Sequence, residues 1–242
     1  MSSLLEVRAL SKSFRGLKAV QNASFDVPQG GLVALIGPNG AGKTTIFNMV
    51  AGVYAPDGGE ILFAGAPIGG LRADQICAAG IGRTFQIVKP FAGLSVIDNV
   101  TVGALLRAKG VSAAKKHAAE IVEKLGLGAK RDLPAASLTL PDRKRLEVAR
   151  ALATRPRLLL LDEVMAGITP TECDLMVGVF RELNRADGLT ILLIEHVMRA
   201  VMALAQQVVV LHHGEIIAHG TPEQVVRDAA VLECYLGEEA EV

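Results

Sequence analysis

The spacing of apolar positions along the chain changes character twice. In the first third, L-L-E-V-R-A-L, A-S-F-D-V-P, G-L-V-A-L-I-G and G-G-E-I-L-F-A-G are short apolar or alternating runs separated by Gly and Pro. Runs of that length with that punctuation predict strands joined by tight turns. From about Val96 to Leu152 the pattern takes on helical periodicity. Within it, Ser112 is placed to cap a helix over A-A-K-K-H-A-A-E-I-V-E-K-L, which Gly126 ends. Beyond it, strands and helices alternate. R-L-L-L-L-D-E predicts a strand, Pro170 opens a helix, L-T-I-L-L-I-E-H predicts a second strand, and a further helix precedes V-V-V-L-H. Two helix starts carry capping boxes, Thr169-x-x-Glu172 and Thr221-x-x-Gln224, each with Pro at the first helical position. Such alternation predicts an α/β domain built on a mainly parallel sheet. A strand-rich N-terminal part and an inserted helical segment at about residues 88–152 complete the expected single domain of residues 1–242.

Composition narrows the function. The 242 residues are 50% hydrophobic but only 4% aromatic, an aliphatic balance suited to strands buried on both faces. Lys plus Arg and Asp plus Glu are both 25, so the formal net charge is zero and the basic excess of a nucleic-acid binder is missing. Cys77, Cys173 and Cys234 are scattered and lack C-x-x-C spacing, which argues against disulfides and zinc. Glu6 and Arg8 fall where a signal peptide needs an apolar run, and no apolar stretch is as long as a membrane span. The expectation is a soluble, cytosolic protein.

The sharpest local chemistry is G-P-N-G-A-G-K-T-T, comprising Gly37, Pro38, Asn39, Gly40, Ala41, Gly42, Lys43, Thr44 and Thr45. It fits G-x-x-x-x-G-K-[ST], in which bare backbone N–H groups wrap phosphates. In that pattern Lys43 reaches the β- and γ-phosphates and the Thr44 hydroxyl binds Mg²⁺. An apolar strand precedes the loop and a helical pattern follows it, as the motif requires. R-L-L-L-L-D-E then supplies acids at a strand's carboxyl end, where ligands of parallel sheets collect. Asp162 is the candidate to hold the metal through water, and Glu163 the candidate to activate the attacking water. L-T-I-L-L-I-E-H brings His196 to the same kind of position, although a lone histidine is more often structural.

With G-P-N-G-A-G-K-T-T, R-T-F-Q, L-L-L-L-D-E and I-E-H in this order, the chain resembles the ATP-binding subunits of ABC transporters over essentially its whole length. The resemblance implies a P-loop ATPase core, an N-terminal antiparallel β-subdomain and an inserted α-helical subdomain. It implies ATP and Mg²⁺ as ligands. It makes Gln86 a contact to Mg²⁺ and a sensor of the membrane partner, and His196 a switch residue at the γ-phosphate. Phe14 reads either as a ring that stacks on adenine or as a core residue. G-R-T-F-Q-I-V-K-P-F-A-G-L-S-V-I-D-N-V, L-L-I-E-H-V-M-R-A-V-M and H-G-T-P-E-Q-V-V are most similar to the ATPases of branched-chain amino acid uptake systems. That likeness implies a second, different ATPase chain, membrane permeases, a soluble solute-binding protein and a peripheral place on the inner face of the membrane. A lipopolysaccharide-export ATPase, a urea or amide uptake ATPase and a poorly hydrolysing regulator are the alternatives. Phe91 and Leu94 are candidates to receive a permease helix, if exposed.

In this family a signature, typically L-S-G-G-Q, opens a helix and binds the γ-phosphate held by the opposite subunit. Leu138 to Asp142 occupies that place as L-T-L-P-D. Thr139 keeps a hydroxyl for the nucleotide, Leu140 and Pro141 replace glycines, and Pro141 has no N–H to donate. Asp142 suits the helix dipole but adds negative charge where an anion is expected. Arg143, Lys144 and Arg145 either compensate for that charge or form a solvated face. A weakened signature is the expectation.

Overall fold

The structure is a computed structural model that describes the backbone of residues 2–239 and side chains as far as residue 235. In chain order the first elements are β1 (Ser3–Phe14), β2 (Leu17–Pro28), β3 (Leu32–Ile36), α1 (Lys43–Val50), β4 (Gly58–Phe63) and β5 (Ala66–Pro67). Next come α2 (Ala73–Ala79), β6 (Ile81–Arg83), α3 (Val96–Ala104), α4 (Val111–Lys124), α5 (Leu140–Ala153), β7 (Leu158–Asp162) and α6 (Pro170–Arg185). The chain closes with β8 (Thr190–Ile194), α7 (Met198–Leu204), β9 (Gln207–His212), β10 (Glu215–Gly220), α8 (Pro222–Val225) and α9 (Ala229–Glu239). It divides into two compact units, one built from residues up to 76 together with those from 190, the other from residues 77–189.

The first unit contains an antiparallel sheet in the order β2-β1-β4-β5, as expected of a strand-rich N-terminal part. It also holds β8, β3 and β9 as parallel neighbours, with β10 antiparallel to β9. Every residue of β3 and β8 is buried, which is why both read as unbroken aliphatic runs rather than alternating ones. Leu35 pairs with Ile194, so the carboxyl ends of β3 and β8 are level. The loops that follow them, one starting at Gly37 and the other at Glu195, therefore leave the sheet at the same edge.

In the second unit β6 and β7 run parallel, with Arg83 opposite Leu160. The pairing continues through Thr84, whose N–H donates to the Leu160 carbonyl at 2.9 Å and whose Oγ1 accepts from the Asp162 N–H at 3.0 Å. Helices α3, α4 and α5 supply the helical character expected between Val96 and Leu152. Both capping boxes form: Thr169 and Glu172 open α6, and in the first unit Thr221 and Gln224 open α8. Gly126, at φ 69°, ends α4 with its N–H on Glu123 and the Leu127 N–H on Val122, a Schellman arrangement. One start differs from expectation. Helix α4 begins one residue before Ser112, with Gly110 at the cap, so Ser112 lies within the first turn rather than capping it. Gly110, at φ 101°, fixes the entry without any side-chain bond. A cap that the sequence reading passed over, Ser95, accepts from the Asp98 N–H and opens α3. Among the described residues no helix is long and apolar enough to cross a membrane.

Candidate functional site

The glycine-rich loop joins buried β3 to α1, and Gly42 caps the helix in a left-handed conformation, φ 107°. Two of its glycines are sterically required. A Cβ on Gly37, φ 145°, would lie 1.9 Å from the Leu211 carbonyl oxygen, and one on Gly42 would lie 2.3 Å from that of Ala19. No acid occupies the first turn of α1, and no side chain caps it. The positive dipole end of the helix is therefore not offset by any side chain of its own first turn. Lys43 is buried, and its ammonium donates to the carbonyls of Gly37 and Pro38 at 2.6 Å each. Thr44 is exposed and Thr45 half-buried beside it. A bare-backbone concavity with a cation inside it fits an anion such as a polyphosphate. At the level edge of the sheet, Glu195 is buried and His196, the next residue, is exposed.

The acids lie in the second unit. Asp162 ends β7 almost fully buried and accepts from Arg83 Nη2 at 3.0 Å. The guanidinium of Arg83 in turn lies 5.3 Å from the Phe85 ring centroid. Glu163 follows with φ 50°, a left-handed backbone that costs a non-glycine residue about 1–2 kcal/mol. Two side chains help to hold it there. Lys144 Nζ donates to its carbonyl oxygen at 3.0 Å, and Gln86 Nε2 donates to its Oε2 at 2.7 Å. The structure thus joins Gln86 to Glu163 across 77 positions of sequence. Thr44 and Asp162 offer the hard oxygen donors that Mg²⁺ takes.

At Leu138–Asp142 the expected balance changes. Thr139 is the N-cap of α5 by backbone geometry, but its side chain does not cap. Its Oγ1 donates instead to Asp142 Oδ2 at 2.7 Å. Lys130 bonds the same carboxylate oxygen, and Arg145 lies 3.8 Å from the other. Burial works to raise the Asp142 pKa, yet the bonds from Lys130 and Thr139 and the charges of Lys130 and Arg145 outweigh it and hold the carboxyl below its ordinary range. Asp142 is therefore a neutralised internal ligand rather than an open negative charge. Pro141 takes the second helical position, after an exposed Leu140. Of the three following bases only Arg143 is exposed, and each is engaged with the protein. Arg143 Nε donates to the Leu138 carbonyl at 2.8 Å, Lys144 is buried against Glu163, and Arg145 faces Asp142.

Phe14 is 37% exposed, so it is not a core residue; it meets Tyr54 edge-on at 5.2 Å between centroids, with Lys12 over its ring. Phe91 and Leu94 are exposed, together with Phe85 and Ile87. Sequence reasoning missed Arg83, Lys130, Glu147 and Arg150. Their only signal was a charge placed among apolar neighbours, as in G-I-G-R-T and R-L-E-V-A-R.

Comparison with known proteins agrees with this geometry. A family model described as ABC transporter matches residues 20–166, and one described as branched-chain amino acid ATP-binding cassette transporter matches residues 215–241. The high-affinity branched-chain amino acid transport ATP-binding protein LivG of Escherichia coli K12 is 39% identical over 97% of this chain and 98% of its own. The lipopolysaccharide export system ATP-binding protein LptB of Acidithiobacillus ferridurans is 36% identical over 100% of both. A crystal structure of an ATP-binding cassette of an ABC transporter in its ADP conformation superposes with a TM-score of 0.89. It is 29% identical and covers 98% of this chain and 100% of that one. A glycine cradle after a buried parallel strand, acids at the end of another, and likeness over nearly the full length lead to one assignment: the chain belongs to the ABC transporter family and is an ATP-binding cassette ATPase.

Proposed function

We propose that this chain is the hydrolysing subunit of an ABC importer for branched-chain amino acids or related small polar solutes. The observation that carries the reading is the pair of similarities at its two scales: LivG over nearly the whole chain, and the branched-chain cassette model over residues 215–241. Likeness to LptB over the full chain supports lipopolysaccharide export as the second reading.

In this proposal Gly37 to Thr45 cradle the phosphates of ATP, Lys43 turns from its loop carbonyls to the β- and γ-phosphates, and Phe14 stacks on adenine. Thr44, Gln86 and Asp162 hold Mg²⁺, which neutralises charge on the phosphates when bound. Glu163 takes the proton of the attacking water, Gln86 orients that carboxylate, and His196 contacts the γ-phosphate. Thr139 serves the nucleotide of the opposite subunit. The helical segment at about residues 88–152 acts as a subdomain, and the permease docks over residues 86–100, where Phe91 and Leu94 are exposed. The partners are a second, different ATPase chain and membrane permeases on the inner face of the membrane, with a soluble solute-binding protein acting through them.

The test has two arms. Glu163→Gln is expected to keep ATP affinity while hydrolysis falls at least about a hundredfold, the scale of a lost general base. Near-normal turnover removes Glu163 from the mechanism and favours a different role for the chain. In the second arm, the complex with its permeases is reconstituted and ATPase is measured with a binding protein loaded with leucine. Stimulation by the loaded binding protein supports import. Stimulation by lipopolysaccharide alone supports the second reading.

A further inference from the structure

Helix α5 does more than present Thr139. Two turns further on, Glu147 and Arg150 lie on one face, three residues apart, with Arg150 Nη1 2.8 Å from Glu147 Oε2. The Glu147 side chain is only 5% exposed and that of Arg150 23%. A buried ion pair of this kind contributes little net stability, because desolvation offsets its Coulomb attraction, so its other contacts are informative. Burial pushes the Glu147 carboxyl up, against the charge and hydrogen bond of Arg150. Arg150 Nη1 also donates to the Lys89 carbonyl at 3.2 Å, and its guanidinium lies 5.1 Å from the Phe91 ring centroid. Asn99 grips Phe91 by its backbone from the other side, accepting from the Phe91 N–H and donating to its carbonyl. Gln86 therefore lies just before a segment tied to α5 at Lys89 and Phe91, while its amide meets Glu163.

We propose that Glu147 and Arg150 are positioning residues for hydrolysis: Glu147 holds Arg150, which clamps residues 89–91 to the helix that Thr139 opens, so displacement of the exposed Phe91 ring moves Gln86 relative to Glu163. The inference rests on the reading of Gln86 and Glu163 given above. It adds a route by which a partner seated on Phe91 acts on the acid without touching it. The clamp grips the backbone at Lys89 and sets the Arg150 guanidinium against the Phe91 ring.

The test is a double-mutant cycle on the full chain, reading kcat, KM and the affinity for a fluorescent ATP analogue. Glu147→Ala is expected to lower kcat about tenfold, the scale of one lost hydrogen bond to a charged group, with nucleotide affinity unchanged. In a Gln86→Ala background the same substitution is expected to cost less than about twofold, because the group it positions is gone. Glu147→Gln, whose amide oxygen still accepts from Arg150, is expected to recover most of the loss. Equal losses in both backgrounds, or a loss of nucleotide affinity in place of kcat, overturn the proposal. If Glu147→Ala does not fold, Arg150→Lys replaces it in the cycle. That variant keeps the charge but lacks the guanidinium plane that lies over the Phe91 ring. Glu163→Gln run alongside separates the two levels. A wild-type rate in Glu163→Gln overturns the hydrolytic reading and this inference with it. An inactive Glu163→Gln with no coupling between Glu147 and Gln86 overturns the clamp alone.

Discussion

Helices α1 and α5 both begin with N–H groups that have no partner inside the helix, and they treat those groups in opposite ways. At α1 the cap is Gly42, the loop before it is glycine-rich, and the first turn has no acid. The only charge within the loop is the Lys43 ammonium, held by two carbonyls. At α5 the cap is Thr139, Pro141 removes one N–H, and Asp142 adds a carboxylate inside the first turn. That carboxylate takes up the Thr139 hydroxyl and is neutralised by Lys130 and Arg145. An acid near a helix N-terminus is worth about 0.3–1 kcal/mol to the helix itself. The difference teaches that a helix start can carry an acid of its own in the first turn or be left without one. The first gains stability and the second keeps binding capacity.

Closing the open start is expected to have the largest effect. In Gly37→Ala the new Cβ meets the Leu211 carbonyl at 1.9 Å, with φ 145°, so the backbone has to move. Stability is expected to fall by about 3 kcal/mol and nucleotide affinity by at least roughly a hundredfold, the range of severe backbone strain. Gly40→Ala is the internal control. Nothing lies within 4 Å of a Cβ there, and its φ of 77° leaves strain alone, about 1–2 kcal/mol. Chemical denaturation and nucleotide titration check both, and equal binding losses at the two positions would show that steric closure of the loop is not what matters.

Asp142→Asn disturbs the closed start by a smaller amount. It keeps the shape but removes a buried charge paired with a half-exposed Lys130, which is expected to cost about 2 kcal/mol at neutral pH. Because the native carboxyl titrates below its ordinary range, its stabilisation is complete above the unfolded aspartate value of about 4. It is lost as pH falls through the depressed native value. Wild type and Asp142→Asn should therefore differ at pH 7 and converge in acid. Parallel stability curves across that range would mean that Asp142 is not held as a charged ligand.

Opening the closed start gives the smallest effect. Replacing Leu140 and Pro141 together by glycine returns an N–H donor and adds flexibility. The ATPase rate of the chain by itself is expected to rise about tenfold, the scale of a regained charged hydrogen bond. Helix stability is expected to fall by about 1 kcal/mol per glycine. The rate is measured against protein concentration, for wild type and the double variant. An unchanged or lower rate means that L-T-L-P-D already works as it stands, and the contrast between the two helix starts then carries no functional weight.

Much of this architecture was legible from local pattern. The capping boxes at Thr169 and Thr221, the stop at Gly126 and the strand–loop–helix form around the glycine-rich loop each depend on a few neighbouring residues, and the structure bears out all of them. The unbroken aliphatic runs of β3, β7 and β8 announced strands buried on both faces, and those strands are fully buried. Ser112 misled because a serine is acceptable within a first turn as well as before it, and the glycine preceding that turn took the cap.

Residue types and periodicity thus determined which elements form, where the anion-binding loop lies and that Asp162 and Glu163 end a strand. Only tertiary structure decided what those residues face. Arg83 reaches Asp162 across 79 positions, Gln86 reaches Glu163 across 77 and Lys130 reaches Asp142 across 12. Lysines and arginines are common on any surface, and nothing in their spacing marks which of them folding will bury against a carboxylate. Asp142 read alone is an exposed acid beside an anion site; with Lys130, Arg145 and Thr139 around it, it is a buried and neutralised one. Sequence gives the charge of a side chain, but the dielectric and the partners that set its effect come from residues that only the folded chain brings together.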